Sequence, residues 1–288
     1  MLDFLICPLR FHLVSNGLAC SQFSGSLWHG ALGRVLAEKH PTAFESMYNV
    51  APEARLYAIC PPQATHLPAG EPFTLGLTLF GSATAHAHAC VDSILRLATE
   101  GLGYYGQFEV VRVEWLTPNG EKILLEKQYK VEDDLNIQNL QDYLIARQFL
   151  RHRVLKIELI TPLCIKEANE PVRQAPSLLQ ILKRVRSRAQ QIQYACRPEF
   201  GGAKADMESI FPMVSDVHIL HSNVKWVNLE RTSARSGQHM GFGGLVGDML
   251  YQGPLDEVMP WLHITQYLQL GGKTAFGFGG IRVNSFAL

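Results

Sequence analysis

"LQLGGKTAFGFGGIRV", residues 268–283, places Gly271, Gly272, Gly277, Gly279 and Gly280 within ten residues, interleaved with Phe276, Phe278 and Lys273. Glycine weakens a strand and costs backbone entropy, so such a run marks a sharp turn or a backbone that touches a ligand. The stretch decides the reading of the chain's second half because it joins two elements. Before it, "LDEVMPWLHITQYL" (255–268) has helical spacing; within it, "FGFGGIRV" (276–283) reads as the last strand.

Working back, "RVLKIELITPLCI" (153–165) is a strand and "SLLQILKRVRSRAQQIQY" (177–194) a helix. The helix carries Leu178, Leu182, Val185, Ala189 and Ile192 on one stripe. "VHILHSNVKWVNL" (217–229) reads as one strand and "GFGGLVGDMLY" (241–251) as a strand or hairpin. The first half repeats the order. An apolar run from Leu2 to Val14 precedes the helix "SLWHGALGRVLAEKH" (26–40), stopped by Pro41. "ARLYAIC" (54–60) and "PFTLGLTLF" (72–80) are strands, "ATAHAHACVDSILRLATEGLG" (83–103) a helix, and "GQFEVVRVEWL" (106–116) a strand. Two copies of βαββαβ predict an α+β chain of two tandem ferredoxin-like domains with a C-terminal glycine-rich loop. The expected boundaries are 1–117 and 153–288, with 118–152 a polar linker holding one helix.

The chain has 288 residues, 47% hydrophobic and 18% charged, an ordinary globular composition. No apolar run is long enough to span a bilayer, and "MLDFLICPLRFHLVS" lacks a basic n-region and a cleavage site. The six cysteines stand far apart without a CxxC pair, so neither a zinc knuckle nor a disulfide framework is expected. A reduced, cytoplasmic protein is the simplest expectation. Formal net charge is zero, yet Arg173, Lys183, Arg184, Arg186, Arg188, Arg197 and Lys204 face a single acid, Glu199, between 173 and 204. The positive charge is local.

The ordered set of stretches resembles the CRISPR-associated repeat-processing endoribonucleases of the RAMP superfamily. "GGKTAFGFGGIRV" resembles their glycine-rich C-terminal signature and "GSLWHGALG" (25–33) their glycine-flanked first helix. "RLYAICPP", "FTLGLTLFG", "EGLGYYGQFEVVRVE" and "ITPLCIK" follow in the family's order. "VKWVNLERTSARSGQHMGFGGLVGDMLYQG" (224–253) resembles its second-domain hairpin region. The resemblance implies tandem RAMP domains and metal-independent cleavage within the repeats of a CRISPR precursor RNA. The RNA's own 2′-hydroxyl attacks, leaving a 2′,3′-cyclic phosphate and a 5′-hydroxyl. Repeat RNA and other CRISPR-associated subunits are the implied partners. The alternative is a non-catalytic RAMP subunit that binds guide RNA in an interference complex. A small-molecule enzyme on the same fold lacks any cofactor motif, and no cofactor, metal or membrane is expected.

Such a reaction needs a base, an acid and positive charge at the phosphorane, and histidine suits the first two near neutral pH. His29 is the first candidate, at the edge of the stripe formed by Leu27, Trp28, Ala31, Leu32, Val35 and Leu36. Gly30 and Gly33 cost roughly 1 kcal/mol each in a helix, which suggests that a substrate comes close there; the alternative is packing against the sheet. The family pattern often carries arginine where His29 stands. His40, beside Lys39, is the second candidate, and His12 on the first strand the third. Arg34 and Lys39 offer phosphate charge, although such residues ordinarily form a solvated face. The "HAH" at His86 and His88 does not make a metal pair, since positions two apart on a helix do not face one another.

For RNA grip, Lys183, Arg184, Arg186 and Arg188 flank the apolar stripe of their helix, and Arg231, Ser233, Arg235 and Gln238 lie in the hairpin region. Gly271 and Gly272 are expected to offer N–H groups to a phosphate with Lys273 beside them, unless the run is an ordinary hairpin. The GxxxxGK[ST] spacing of a nucleotide-binding loop is absent.

Overall fold

The computed structural model describes residues 2–20, 23–126, 129–130, 135–145, 152–200, 210–232 and 239–287. The chain forms two compact units. The first comprises Met1–Ala146 with Gln190–Lys204 and Ala275–Gly277, and the second comprises Arg147–Ala189, Ala205–Thr274 and Phe278–Leu288.

In the first unit, β1 (Leu5–Ala19) leads through α1 (Gly25–Lys39) and α2 (Pro41–Met47) to β2 (Tyr57–Cys60) and β3 (Pro72–Phe80). Then come α3 (Ala87–Glu100), β4 (Gly106–Thr117), β5 (Gly120–Glu126) and the short α4 (Leu140–Ile145). The sheet order is β2-β3-β1-β4-β5, antiparallel at every step. The first strand therefore lies between the third and the fourth, the ferredoxin-like arrangement.

Strand period sets which residues the helices cover. Leu9, Phe11 and Leu13 of β1 are buried. Trp28 of α1 packs on Phe73, the strand partner of Leu13, and on Phe108. Arg10 and His12 consequently point to the opposite face. There, Glu114 is only 2% exposed and meets His12 at 2.8 Å, Arg112 at 3.1 Å and Arg10 at 3.5 Å. The sheet runs on past Thr117, where the linker was expected to begin: β5 pairs with β4 across a tight turn.

The second unit repeats the plan. β6 (His152–Leu163) precedes α5 (Leu178–Cys196), whose residues from Gln190 count with the first unit. Then follow β7 (His218–Ser222), β8 (Lys225–Thr232), β9 (His239–Gln252), α6 (Met259–Leu268) and β10 (Ile281–Ala287). The order is β7-β9-β6-β10, with β8 also paired to β9. All five stripe residues of α5 are buried.

Two sequence expectations are corrected here. The single strand expected over 217–229 is two strands. The break falls at Asn223, whose N–H donates to the Asp248 carbonyl (3.1 Å) while its side-chain oxygen accepts from the Asp248 N–H (2.6 Å). These bonds sit beside the register shift of β9 between Leu245 and Gly247. The final strand begins at Ile281, not at Phe276. Before it the chain is a loop fastened to the end of β6: Leu270 N–H donates to the Gly279 carbonyl, and Gly279 N–H to the Pro162 carbonyl, each at 2.9 Å.

Gly279 has φ +78°, and a Cβ there would stand 1.8 Å from the Leu270 carbonyl oxygen. Only glycine fits. Gly279→Ala combines a left-handed backbone penalty with that overlap, so it should cost more than about 2 kcal/mol. A melting temperature lowered by roughly 5 °C or more is the expected readout.

Candidate active site

His29 lies on α1 against side chains from three other segments of the first unit. Its Nδ1 shares a 3.0 Å hydrogen bond with the Tyr57 hydroxyl on β2. Its ring stacks on Tyr48 with centroids 4.8 Å apart and meets Phe276 at 4.4 Å. The Tyr48 hydroxyl donates to the His29 carbonyl at 3.0 Å. Tyr57 is fully buried, and burial pushes both tyrosine hydroxyls well above their usual range. They are thus neutral hydrogen-bonding groups near neutral pH. Arg55 places its guanidinium carbon 5.5 Å from the Phe276 ring centre, and its charge opposes the rise of both tyrosines. One imidazole, two neutral phenols and one arginine therefore occupy the same neighbourhood.

The two helix glycines play different parts. A Cβ on Gly33 would stand 2.6 Å from the Tyr48 ring, so this glycine makes room for a side chain of the protein and not for a substrate. A Cβ on Gly30 would meet nothing within 4 Å, which leaves the approach beside His29 open at that position. The expected close approach is thus confined to Gly30.

His40 caps the end of α1, where its N–H donates to the Leu36 carbonyl at 2.8 Å. Its Nε2 lies 2.8 Å from Asp92 Oδ2, and the same oxygen takes the Arg96 Nε–H at 2.7 Å. Eleven residues of helix separate His40 from His29 by about 16 Å along the axis, so the two do not share one phosphate. Lys39 is exposed in the last turn of α1. Arg34 pairs with Glu38 and Glu100. His12 is on the sheet face away from α1 and engages Glu114, which removes it from the neighbourhood of His29. His86 closes a short 3-10 turn and His88 lies in the first turn of α3. Among the described residues no cluster of three or more His, Cys, Asp or Glu has metal-site geometry.

The basic residues of α5 divide sharply. Lys183 is exposed. Arg184 donates to the Lys166 carbonyl, and Arg186 lies over the Phe211 ring at 4.9 Å. Arg188 is 6% exposed, its Nε donates to the Leu268 carbonyl at 3.2 Å, and burial lowers its pKa to about 10. It satisfies the last carbonyl of α6, where the helix dipole favours a cation. Arg188 is therefore a core residue, which corrects its expected place on an RNA-facing surface.

Gly272 N–H donates to the Cys164 carbonyl at 3.1 Å and so is not presented to a phosphate as expected. Gly271, with φ +75°, has the same carbonyl where its Cβ would be. Lys273 places Nζ 5.8 Å from the Phe278 ring centre, and burial lowers its pKa. Arg231 is on β8 opposite Met240. Ser233, Arg235 and Gln238 lie outside the described residues.

Arg55, Tyr48, Tyr57 and Phe276 were not placed beside His29 by the sequence reading. Tyr57 and Arg55 fall in a stretch recognised only as a strand, and no spacing links them to His29.

Residues 157–281 match the family model of the CRISPR-associated endoribonuclease Cas6, and 38–136 match a model described only as an N-terminal domain. No curated protein matches the chain in sequence. Among solved structures, a Cas6 product complex superposes with a TM-score of 0.60 at 13% identity, covering 97% of this chain and 99% of that one. A Cas6 of Thermus thermophilus gives 0.59 at 12% identity, covering 98% and 99%. A partial Cas6-RT-Cas1–Cas2 complex gives 0.65 at 13% identity, covering 98% of this chain and 46% of that one. The fold is that of these Cas6 structures, with two tandem ferredoxin-like units. The partial sequence match and the fold likeness are both to Cas6 proteins. No described helix is long and apolar enough to cross a membrane.

Two outcomes follow from these assignments. Arg188→Ala should cost about 2 kcal/mol or more by stranding the Leu268 carbonyl and opening a void, whereas Lys183→Ala should leave the melting temperature within about a degree. Calorimetry of the two variants separates them. At Asp92, burial acts to raise the carboxyl, and hydrogen bonds from Arg96 and His40 outweigh it, holding it below its usual value of 3.8. A lowered carboxylate stabilises the fold above its ordinary range and loses that contribution as pH falls through the lowered value. Urea melts at pH 7 and pH 3 should show a smaller acid loss in Asp92→Asn than in the unmodified chain, by under about 1 kcal/mol because the pair is solvent-screened.

Proposed function

We propose that the chain is an endoribonuclease that cuts CRISPR precursor RNA within its repeats, without a metal, and matures guide RNAs. The observation that carries this reading is the setting of His29, oriented by Tyr57, flanked by Tyr48 and Phe276, with Arg55 in the same cluster. The match of residues 157–281 to a family of CRISPR-associated endoribonucleases supports an RNA substrate.

His29 transfers a proton at the reacting ribose or at the leaving oxygen. The 2′-oxygen attacks the adjacent phosphorus, the bond from phosphorus to the 5′-oxygen breaks, and that oxygen leaves as a hydroxyl. The products are a 2′,3′-cyclic phosphate and a 5′-hydroxyl, with no water consumed. Negative charge grows on the phosphorane oxygens, and Arg55 is the cation in this cluster that meets it. The neutral phenols fix the imidazole ring and add hydrogen bonds without adding charge. Lys183, Arg184, Arg186, Arg231, Ser233, Arg235 and Lys273 remain the proposed RNA contacts of the second half. Repeat RNA is the partner of the site, and other CRISPR-associated subunits are proposed to receive or share the product.

The test is cleavage of a 5′-labelled repeat RNA from the same genome in excess EDTA. The unmodified chain should cut. His29→Ala should slow the reaction by roughly 10²-fold or more, and Arg55→Ala by a comparable factor, with Arg55→Lys recovering part of it. A 2′-deoxy nucleotide at the cut site should abolish cutting. Undiminished cutting by His29→Ala would move the proton transfer to His40. Tight binding without cutting by the unmodified chain would favour the non-catalytic guide-binding subunit.

A further inference from the structure

Tyr104 is 89% exposed. A phenol ring held almost wholly in water needs a reason, and its frame is rigid. Gly101 caps α3 with φ +80°, and Leu102, itself buried, donates its N–H to the Gly106 carbonyl at 2.9 Å. Gly106, at φ +115°, lies so close to β1 that a Cβ would stand 1.8 Å from the Gly17 carbonyl oxygen. The segment 101–106 is therefore closed on itself and pressed against the sheet, and it presents residues 104 and 105 at a fixed place.

The two side chains hold each other. The rings of Tyr104 and Tyr105 have centroids 4.1 Å apart and an interplanar angle of 35°, and the Tyr104 hydroxyl donates to the Tyr105 hydroxyl at 2.6 Å. That hydrogen bond, with burial and the neighbouring phenol, pushes the Tyr105 hydroxyl up to about 12, so Tyr105 is neutral near pH 7. Part of the rotamer entropy that an exposed tyrosine loses on meeting a ligand is already spent.

We propose that Tyr104 and Tyr105 form a stacking platform for an unpaired nucleobase of the RNA substrate. The proposal rests on the reading of the chain as an RNA-processing enzyme and adds a subsite to it. A protein partner is less suited, because aromatic anchors of protein interfaces sit within well-packed, desolvated patches. Here the residues that flank the pair in the chain, Gly103, Gly106 and Gln107, are small or polar. A single flat ligand fits such a lone ring. Base–aromatic stacking tolerates any base, so the platform grips an unpaired flank or loop without reading its sequence.

The experiment uses the full chain and a repeat RNA made uncleavable with 2′-deoxy nucleotides, carrying 5-iodouridine at unpaired positions. Affinity is read by fluorescence anisotropy, and crosslinked peptides are identified by mass spectrometry. Tyr104→Ala should weaken binding roughly ten-fold, while Tyr104→Phe and Tyr104→Trp keep it. Crosslinks should fall on Tyr104 or Tyr105. With cleavable RNA well below saturation, Tyr104→Ala should cut more slowly by about the factor of its lost affinity, and its melting temperature should not move. Unchanged affinity in Tyr104→Ala, with crosslinks elsewhere, overturns the platform and leaves the RNA-processing reading intact. Failure of the unmodified chain to bind the repeat RNA overturns both.

Discussion

Each half of the fold depends on a first strand that is hydrogen-bonded along both edges. β1 pairs with β3 on one side and β4 on the other, and β6 is held in the same way between β9 and β10. A strand placed centrally cannot slip by one residue without turning its apolar set to the wrong face. Leu9, Phe11 and Leu13 are thereby committed to the helix side, with Arg10 and His12 to the other. Once that register is set, the α1 surface that carries Trp28 is fixed over the sheet, and His29 follows at the border of the packed stripe. The position of the imidazole is thus a consequence of strand pairing several residues away in structure and more than ten in sequence.

The elements with strong periodicity were legible in the residues alone. The apolar stripe of α5, the apolar run of β1 and the glycine that ends α3 each carry their own signal. The order of elements then predicted the tandem ferredoxin-like plan, which both sheets have. The misreadings share a cause: each depends on a partner that is distant in sequence. The break at Asn223 is set by its two hydrogen bonds with Asp248 of β9, a residue 25 positions away. β5 was read as part of a connection because the polar, charged stretch follows it directly, and only pairing with β4 reveals it as a strand. Arg188 has the sequence surroundings of a surface residue, yet the end of α6 lies over it and takes its hydrogen bond.

The candidate site was legible only in its first member. His29 was found from its place on an amphipathic helix beside glycines, and Gly30 has the open surroundings that this suggested. Gly33 was misjudged, since the space it leaves belongs to Tyr48. Tyr48, Tyr57, Arg55 and Phe276 come from separate segments, and none has a spacing that ties it to His29. Sequence can nominate a reactive side chain by type and position. The groups that orient it and supply charge are gathered by tertiary folding.

Phe276 has a bearing on how the molecule is made. It belongs to the first unit and forms one wall around His29, yet 247 residues separate the two along the chain. Synthesis runs from the N-terminus, so α1 and its sheet emerge and pair long before that wall exists. The nascent chain holds an imidazole with Tyr48 and Tyr57 in reach while lacking the last aromatic neighbour and the surface on which Arg55 rests. The candidate neighbourhood is therefore complete only after residue 276 has been made, and a polypeptide ended before it carries the histidine without its full enclosure.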